Sequence, residues 1–180
     1  MLEPIQGEGG IIIPQDGYLG KVKELCKKYN VLLIADEVQT GFGRTGNLMG
    51  YEHDMGDEKP DIMTLAKSIS GGVTPVSGIV ANDDILMLIK PGEHGSTYGG
   101  NPLGMAVAKV AVQALIEEGM LENSKKMGAY LLSKLQTIKS PIIKEVRGRG
   151  LFIGLEFKHD LKIAGYDFCK ETLKHGLLTK

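Results

Sequence analysis

The chain has 180 residues, 42% of them hydrophobic, and a formal net charge of −1 with acidic and basic residues interspersed. That length can bury one good core and allows one domain or one and a half, while the charge pattern offers no basic face for nucleic acid and no polybasic run for an anionic membrane. No apolar run approaches the roughly 20 residues that span a bilayer, and Met1-Leu2-Glu3-Pro4 lacks the charged and apolar regions of a signal peptide, so a small molecule is the expected partner.

Tyr18, Leu19, Val22, Leu25, Cys26 and Tyr29 recur at helical spacing, and Asn30 closes the pattern, which predicts an amphipathic helix over 17–30. Val31 to Ala35 is a continuous apolar run ending in Asp36-Glu37, the pattern of a strand covered on both faces in a parallel sheet. Helix followed by buried strand means an α/β fold. Ile62 to Ala66 and Val76 to Val80 read as two further strands, separated by Lys67 to Gly72 and by Pro75, so Lys67 stands at a strand end. Asn82-Asp83-Asp84 caps a short helix through Leu88, and Glu93 to Pro102 is an irregular glycine-rich loop. Leu103 to Ile116 reads as a largely buried helix.

From Met120 to Leu135 the pattern is again amphipathic. Strands Ile142 to Val146 and Leu151 to Phe157 follow, joined by Arg147 to Gly150, and then a helix Ala164 to Leu173 ended by His175-Gly176. Residues 1–119 are expected to be part of a large domain with a mainly parallel sheet, and 120–180 the start of a small α+β domain. Both ends read as cut from a longer protein. Cys26 and Cys169 lie in amphipathic helical patterns and read as small buried hydrophobes in a reducing compartment. Glycine is the outlier, 25 residues, roughly twice the usual share of about 7%.

Gly41-Phe42-Gly43-Arg44-Thr45-Gly46 fits G-x-G-x-x-G, but no helix opens after it to receive a pyrophosphate. His53 with Asp54 and His94 with Glu93 lack the spacing of metal ligands on a helix, and Gly95-Ser96-Thr97-Tyr98-Gly99 is not a hydrolase elbow. What remains is Asp36 at the end of one buried strand, Lys67 at the end of another, and the Gly-Ser-Thr-rich loop 95–100. Ligands bind outside the carboxyl ends of strands in open α/β sheets, so Asp36 and Lys67 can share a site. Each also has a bland alternative as a solvated lysine, a loop cap or a turn.

Glu3-Pro4-Ile5-Gln6-Gly7-Glu8, Ala35-Asp36-Glu37-Val38-Gln39-Thr40-Gly41, Leu65-Ala66-Lys67-Ser68 and Gly95 to Pro102 resemble, in order and spacing, the class III aminotransferases. Ile89 to His94 narrows the resemblance to the ornithine branch. The resemblance implies a fold-type-I transferase that carries pyridoxal 5'-phosphate on Lys67 as a Schiff base, with Lys67 then shuttling a proton. Asp36 would pair with the pyridine nitrogen, and Gln39, beside Val38, would contact the phenolic oxygen. Ser96 and Thr97 would bind the phosphate from the neighbouring subunit of a homodimer. Glu8 would be a gate that helps one pocket take ornithine and then a 2-oxoacid.

Glu3, Arg44 and Arg147 read as structural or interface residues. The family's arginine partner for Glu8 would lie beyond Lys180, and other family site residues before Met1. The implied reaction is ornithine 5-transamination. Its rivals are a class III enzyme for acetylornithine or 4-aminobutyrate, and a non-catalytic fragment. The implied compartment is the cytoplasm, with the mitochondrial matrix as the alternative.

Overall fold

The computed structural model describes residues 1–158 and 165–180, and its first helix, α1, spans Tyr18–Tyr29. Asn30 ends it in the left-handed conformation at φ 53, and Val31 N–H returns to Cys26 O at 2.9 Å. No side chain of its own caps the start. Instead Asp54, from the short helix α2 (Glu52–Met55), accepts from the N–H groups of Gly17 and Leu19, satisfying donors that a helix start leaves open. Leu19 then packs with Leu33, Tyr51 and Met55 as the buried core. Beside it Lys23, itself buried, bonds Asp61 at 2.6 Å.

Strand β1 is only Ile34–Asp36, shorter than the predicted run, and Val31 and Leu32 are 57% and 51% exposed rather than covered on both faces. The cause is local: Val31 N–H is spent on the helix cap, and Leu33 N–H goes to the Asp61 carboxylate at 2.7 Å, so the ladder begins only at Ile34. β1 pairs in parallel with β2, Ile62–Leu65, in the register Ile34 to Ile62 and Asp36 to Thr64. On its other side Leu2 bridges Ala35 in parallel, through Leu2 N–H to Ile34 O at 3.0 Å and Asp36 N–H to Leu2 O at 2.8 Å. β1 is therefore interior.

β3, Gly78–Ala81, begins two residues later than expected, ends one later, and runs antiparallel to β2. The intervening chain is a 3-10 turn, Lys67–Ser70, pinned by Ser70 Oγ donating to Thr74 O at 2.5 Å.

α3, Asp83–Leu86, is capped by the Asn82 backbone carbonyl and not by its side chain. α4, Pro102–Glu117, starts as its residues dictate, with Pro102 at the first position and Asn101 Oδ1 accepting from Gly104 N–H at 2.7 Å. The expectation that α4 is largely buried fails: only Gly104 and Ala108 are buried, whereas Leu103 and Val110 are 70% and 63% exposed. The helix is apolar around its circumference, and the described chain covers one narrow stripe of it.

After Gly119, which turns the chain at φ 67, α5 spans Met120–Gln136. β4, Ile143–Arg149, and β5, Phe152–Phe157, form a separate antiparallel pair. Arg147, Gly148 and Arg149 belong to β4, not to a connecting loop as the sequence suggested, because the turn is the two residues Gly150-Leu151. α5 meets that turn backbone to backbone: a Cβ at Gly128 would lie 2.0 Å from Gly150 O. Leu151 N–H also reaches Arg44 O at 2.9 Å. α6 is Gly165–Lys174, and its predicted first residue, Ala164, lies outside the described residues. Among the described residues no helix is long and apolar enough to cross a membrane.

Candidate active site

The parallel register carries Asp36 and Lys67 to the same edge of the sheet. Asp36 sits opposite Thr64, whose hydroxyl donates to Asp36 Oδ1 at 3.1 Å, and β2 ends one residue later. Val38 N–H donates to that same oxygen at 3.1 Å. Both bonds fall on Oδ1, so among the described residues Oδ2 takes none, and it is not buried. Lys67 opens the 3-10 turn, exposed, with φ 48. That left-handed backbone costs a residue with a side chain roughly 1–2 kcal/mol, and such strain collects at functional positions.

Gln39 and Glu8 join them. Gln39 Nε2 donates to Glu8 Oε1 at 3.2 Å, and Lys180 Nζ approaches both Glu8 oxygens at 2.9 and 3.0 Å. The Lys180 bond foremost, then Gln39, with a smaller pull from Lys67, holds the exposed Glu8 carboxyl below its usual range. Gly7 lies beneath the Gln39 amide, and a Cβ on it would come within 2.6 Å of that amide and displace it from Glu8. Its N–H bonds Glu3 at 2.8 Å, which gives Glu3 the structural role expected of it.

Between Asp36 and Gln39 lies Glu37, fully buried, which sequence reasoning passed over. Its Oε2 accepts from Thr40 Oγ1 at 2.5 Å and Gly50 N–H at 2.8 Å, and its Oε1 from Tyr51 N–H at 2.8 Å. Burial pushes its carboxyl up, against the pull of those donors. Glu37 thus clamps the loop 40–51 to the end of β1 and fixes the segment that presents Asp36, Val38 and Gln39. Its only signal in the sequence was a charge beside a buried strand, followed by glycines that let backbone N–H groups come close. Lys180 gave no signal at all.

Among the described residues Ser96 and Thr97 make no hydrogen bond to this group. The whole of 91–100 is exposed, and among the described residues Ser96 Oγ accepts only from Gly99 N–H within its own loop, at 2.9 Å. The fingerprint-like 41–46 folds as turns, and no helix opens until Glu52. His53 is spent locally, its Nε2 lying 3.0 Å from Thr45 Oγ1, and burial, then Arg149, lowers its pKa.

The family model for class-III aminotransferases matches residues 1–180. An ornithine aminotransferase of Brevibacillus brevis is 52% identical over 180 residues, which are all of this chain and 44% of that protein. Of solved structures, one of an ornithine aminotransferase from Toxoplasma gondii, with PLP at partial occupancy in its active site, superposes with a TM-score of 0.94 at 44% identity. It covers 99% of this chain and 42% of its own. An acetylornithine aminotransferase from Elizabethkingia anophelis reaches 0.92, also at 44% identity, over 99% of this chain and 45% of its own. The chain therefore spans less than half the length of the relatives it matches.

Proposed function

We infer the reaction from family and geometry together: the chain belongs to the class-III aminotransferase family, and we propose that the protein moves the 5-amino group of L-ornithine to a 2-oxoacid such as 2-oxoglutarate. The products are glutamate 5-semialdehyde and an L-amino acid. One observation carries this reading: an acid and a lysine emerge at the carboxyl ends of adjacent parallel strands, with one acid oxygen left open.

Pyridoxal 5'-phosphate is the cofactor, and when bound it supplies a carbonyl for amines and a ring that accepts electron density. The donor set fits it. Asp36 Oδ1 is fixed by Thr64 and Val38, so its Oδ2 is oriented to accept a ring N–H and hold that proton in place. Lys67 is an exposed amine on a strained backbone, suited to hold the cofactor and then to take the proton from the amine-bearing carbon of the substrate. Gln39, held over Gly7, offers its amide to the phenolic oxygen, with Val38 beside it.

Glu8 already carries an ammonium, Lys180 Nζ, so its carboxylate has the chemistry to receive a substrate ammonium. Ser96 and Thr97 bind the phosphate of a partner subunit in a homodimer, a role favoured by their exposed loop, which makes no hydrogen bond to this chain's own Asp36, Lys67 or Gln39 among the described residues. We divide the chain at 119/120 into parts of a large and a small domain, in keeping with its two separate sheets. The compartment is the cytosol, with the mitochondrial matrix as the alternative.

The test is to add pyridoxal phosphate and borohydride to the full-length protein and map the adduct by mass spectrometry. A single adduct on Lys67 supports the enzyme, and scattered or absent labelling refutes it. The 44% identity to an acetylornithine enzyme keeps that substrate as the rival. Turnover of ornithine, acetylornithine and 4-aminobutyrate side by side decides, and preference for the acetylated amine ends the ornithine reading.

A further inference from the structure

Residues 6–12 form a small loop closed by Gln6 N–H to Ile12 O at 3.1 Å and Ile12 N–H to Gln6 O at 3.0 Å, with Glu8 in its tip. Its returning limb is strained: Ile11 has φ 55, a region that a β-branched side chain avoids. Something must hold it there, and Arg147 of β4 does so. Its Nε donates to Ile11 O at 2.9 Å and its Nη2 to Gly10 O at 2.7 Å. Nη1 is held in turn by Glu156 at 2.5 Å and Glu145 at 2.8 Å, on the same hairpin. Opposite Arg147, Gly154 of β5 lies against the strained residue, where a Cβ would come within 3.3 Å of Ile11 Cβ.

Loop 6–12 is thus pinned from two directions. Glu8 meets Gln39 at the sheet edge, and the limb behind it is gripped by a guanidinium whose five N–H groups are set in a rigid fork. A lysine could reach only one of the two carbonyls with comparable geometry.

We infer that Arg147 is a positioning residue for Glu8: by fastening Gly10 and Ile11 to the β4–β5 hairpin it fixes where the Glu8 carboxylate stands against Gln39, and so sets the affinity for the ammonium-bearing substrate. The inference rests on the reading of Glu8 as a substrate-binding group. Recognition of the amine is then tied to the seating of the hairpin, although Arg147 touches neither substrate nor cofactor.

The experiment compares Arg147→Gln, Arg147→Lys, Glu8→Gln and the Glu8→Gln/Arg147→Gln double variant in the full-length holoenzyme. Steady-state kinetics and amide hydrogen exchange of residues 6–12 are read on each. Arg147→Gln should raise the ornithine KM about tenfold with kcat changed by no more than about twofold, as loss of a charge-assisted contact transmitted through one neighbour allows. It should also speed exchange of the Gly10 and Ile12 amides about tenfold. Arg147→Lys should show the same pattern at smaller size, and it serves if the glutamine variant fails to fold.

In the Glu8→Gln background, Arg147→Gln should add no further KM change. KM effects that multiply in the double variant overturn the proposal, as does unchanged exchange with Glu8's own role intact. An ornithine KM untouched by Glu8→Gln alone sinks the reading of Glu8, and the effect on affinity proposed here falls with it.

Discussion

Replacing Glu37 with glutamine changes one oxygen to an amide nitrogen and little else. In the structure the two oxygens accept three donors, Thr40 Oγ1 and Gly50 N–H on one and Tyr51 N–H on the other. If the new NH2 takes the Oε2 position, Thr40 can rotate to accept from it, but Gly50 N–H faces a donor. If it takes the Oε1 position, Tyr51 N–H does. Either way one buried backbone N–H loses its partner, which costs about 1–3 kcal/mol.

The neutral amide also escapes the burial that pushes the Glu37 carboxyl up, so the net loss belongs near the lower half of that range. Thermal melts of Glu37→Gln, set beside Glu58→Gln in the exposed Lys27–Glu58 pair, measure it. The control pair is worth about 0–1 kcal/mol. Because the folded pKa of Glu37 is raised above its ordinary 4.5, its contribution is fully present below that value and is lost as pH rises through the folded pKa. The variant should lack this dependence. Were Glu37→Gln no more damaging than Glu58→Gln, the carboxylate would not be a clamp and the account of how Asp36 and Gln39 are presented would be wrong.

Asp36→Ala and Lys67→Ala should each lower kcat by roughly 10²–10⁴ while leaving the melting temperature within a few degrees, measured with cofactor in excess. Gly128→Ala places a carbon 2.0 Å from Gly150 O, a backbone atom that cannot swing aside, so it should destabilise by about 3 kcal/mol or more in urea unfolding. Glu156 is held at about 2 by Lys144 and Arg147, below its ordinary 4.5. Its contribution is therefore present above pH 4.5 and lost as pH falls through 2, and Glu156→Gln should remove that part of the acid unfolding profile followed by circular dichroism.

The helices were legible because their cues are local: α1 ends at Asn30 as expected, and α4 begins one residue before the expected Leu103, where Asn101 and Pro102 supply the capping chemistry. The strands were legible in kind but not in extent. Val31 was drawn into the helix cap and Leu33 to Asp61, partners that only the fold brings near. Arg147-Gly148 looked like a linker because glycine usually marks a turn, yet Gly148 packs flat in β4, where a Cβ would meet Phe152 O at 2.7 Å. Of the candidate site, Asp36 and Lys67 could be paired through the rule for strand ends, whereas Gln39 and Glu8 lie 31 residues apart and meet only once the chain has folded. The Glu37 clamp was hidden because a buried carboxylate with three donors looks, in sequence, like any surface charge.

If Lys67 has the role proposed for it, its left-handed backbone sets thermal robustness against chemistry at a single position. Glycine there would relieve the conformational strain and raise stability by up to about 1 kcal/mol while removing the amine altogether. A library screened only for heat resistance or soluble yield should therefore enrich Lys67→Gly, and would breed a sturdier protein with nothing left to react.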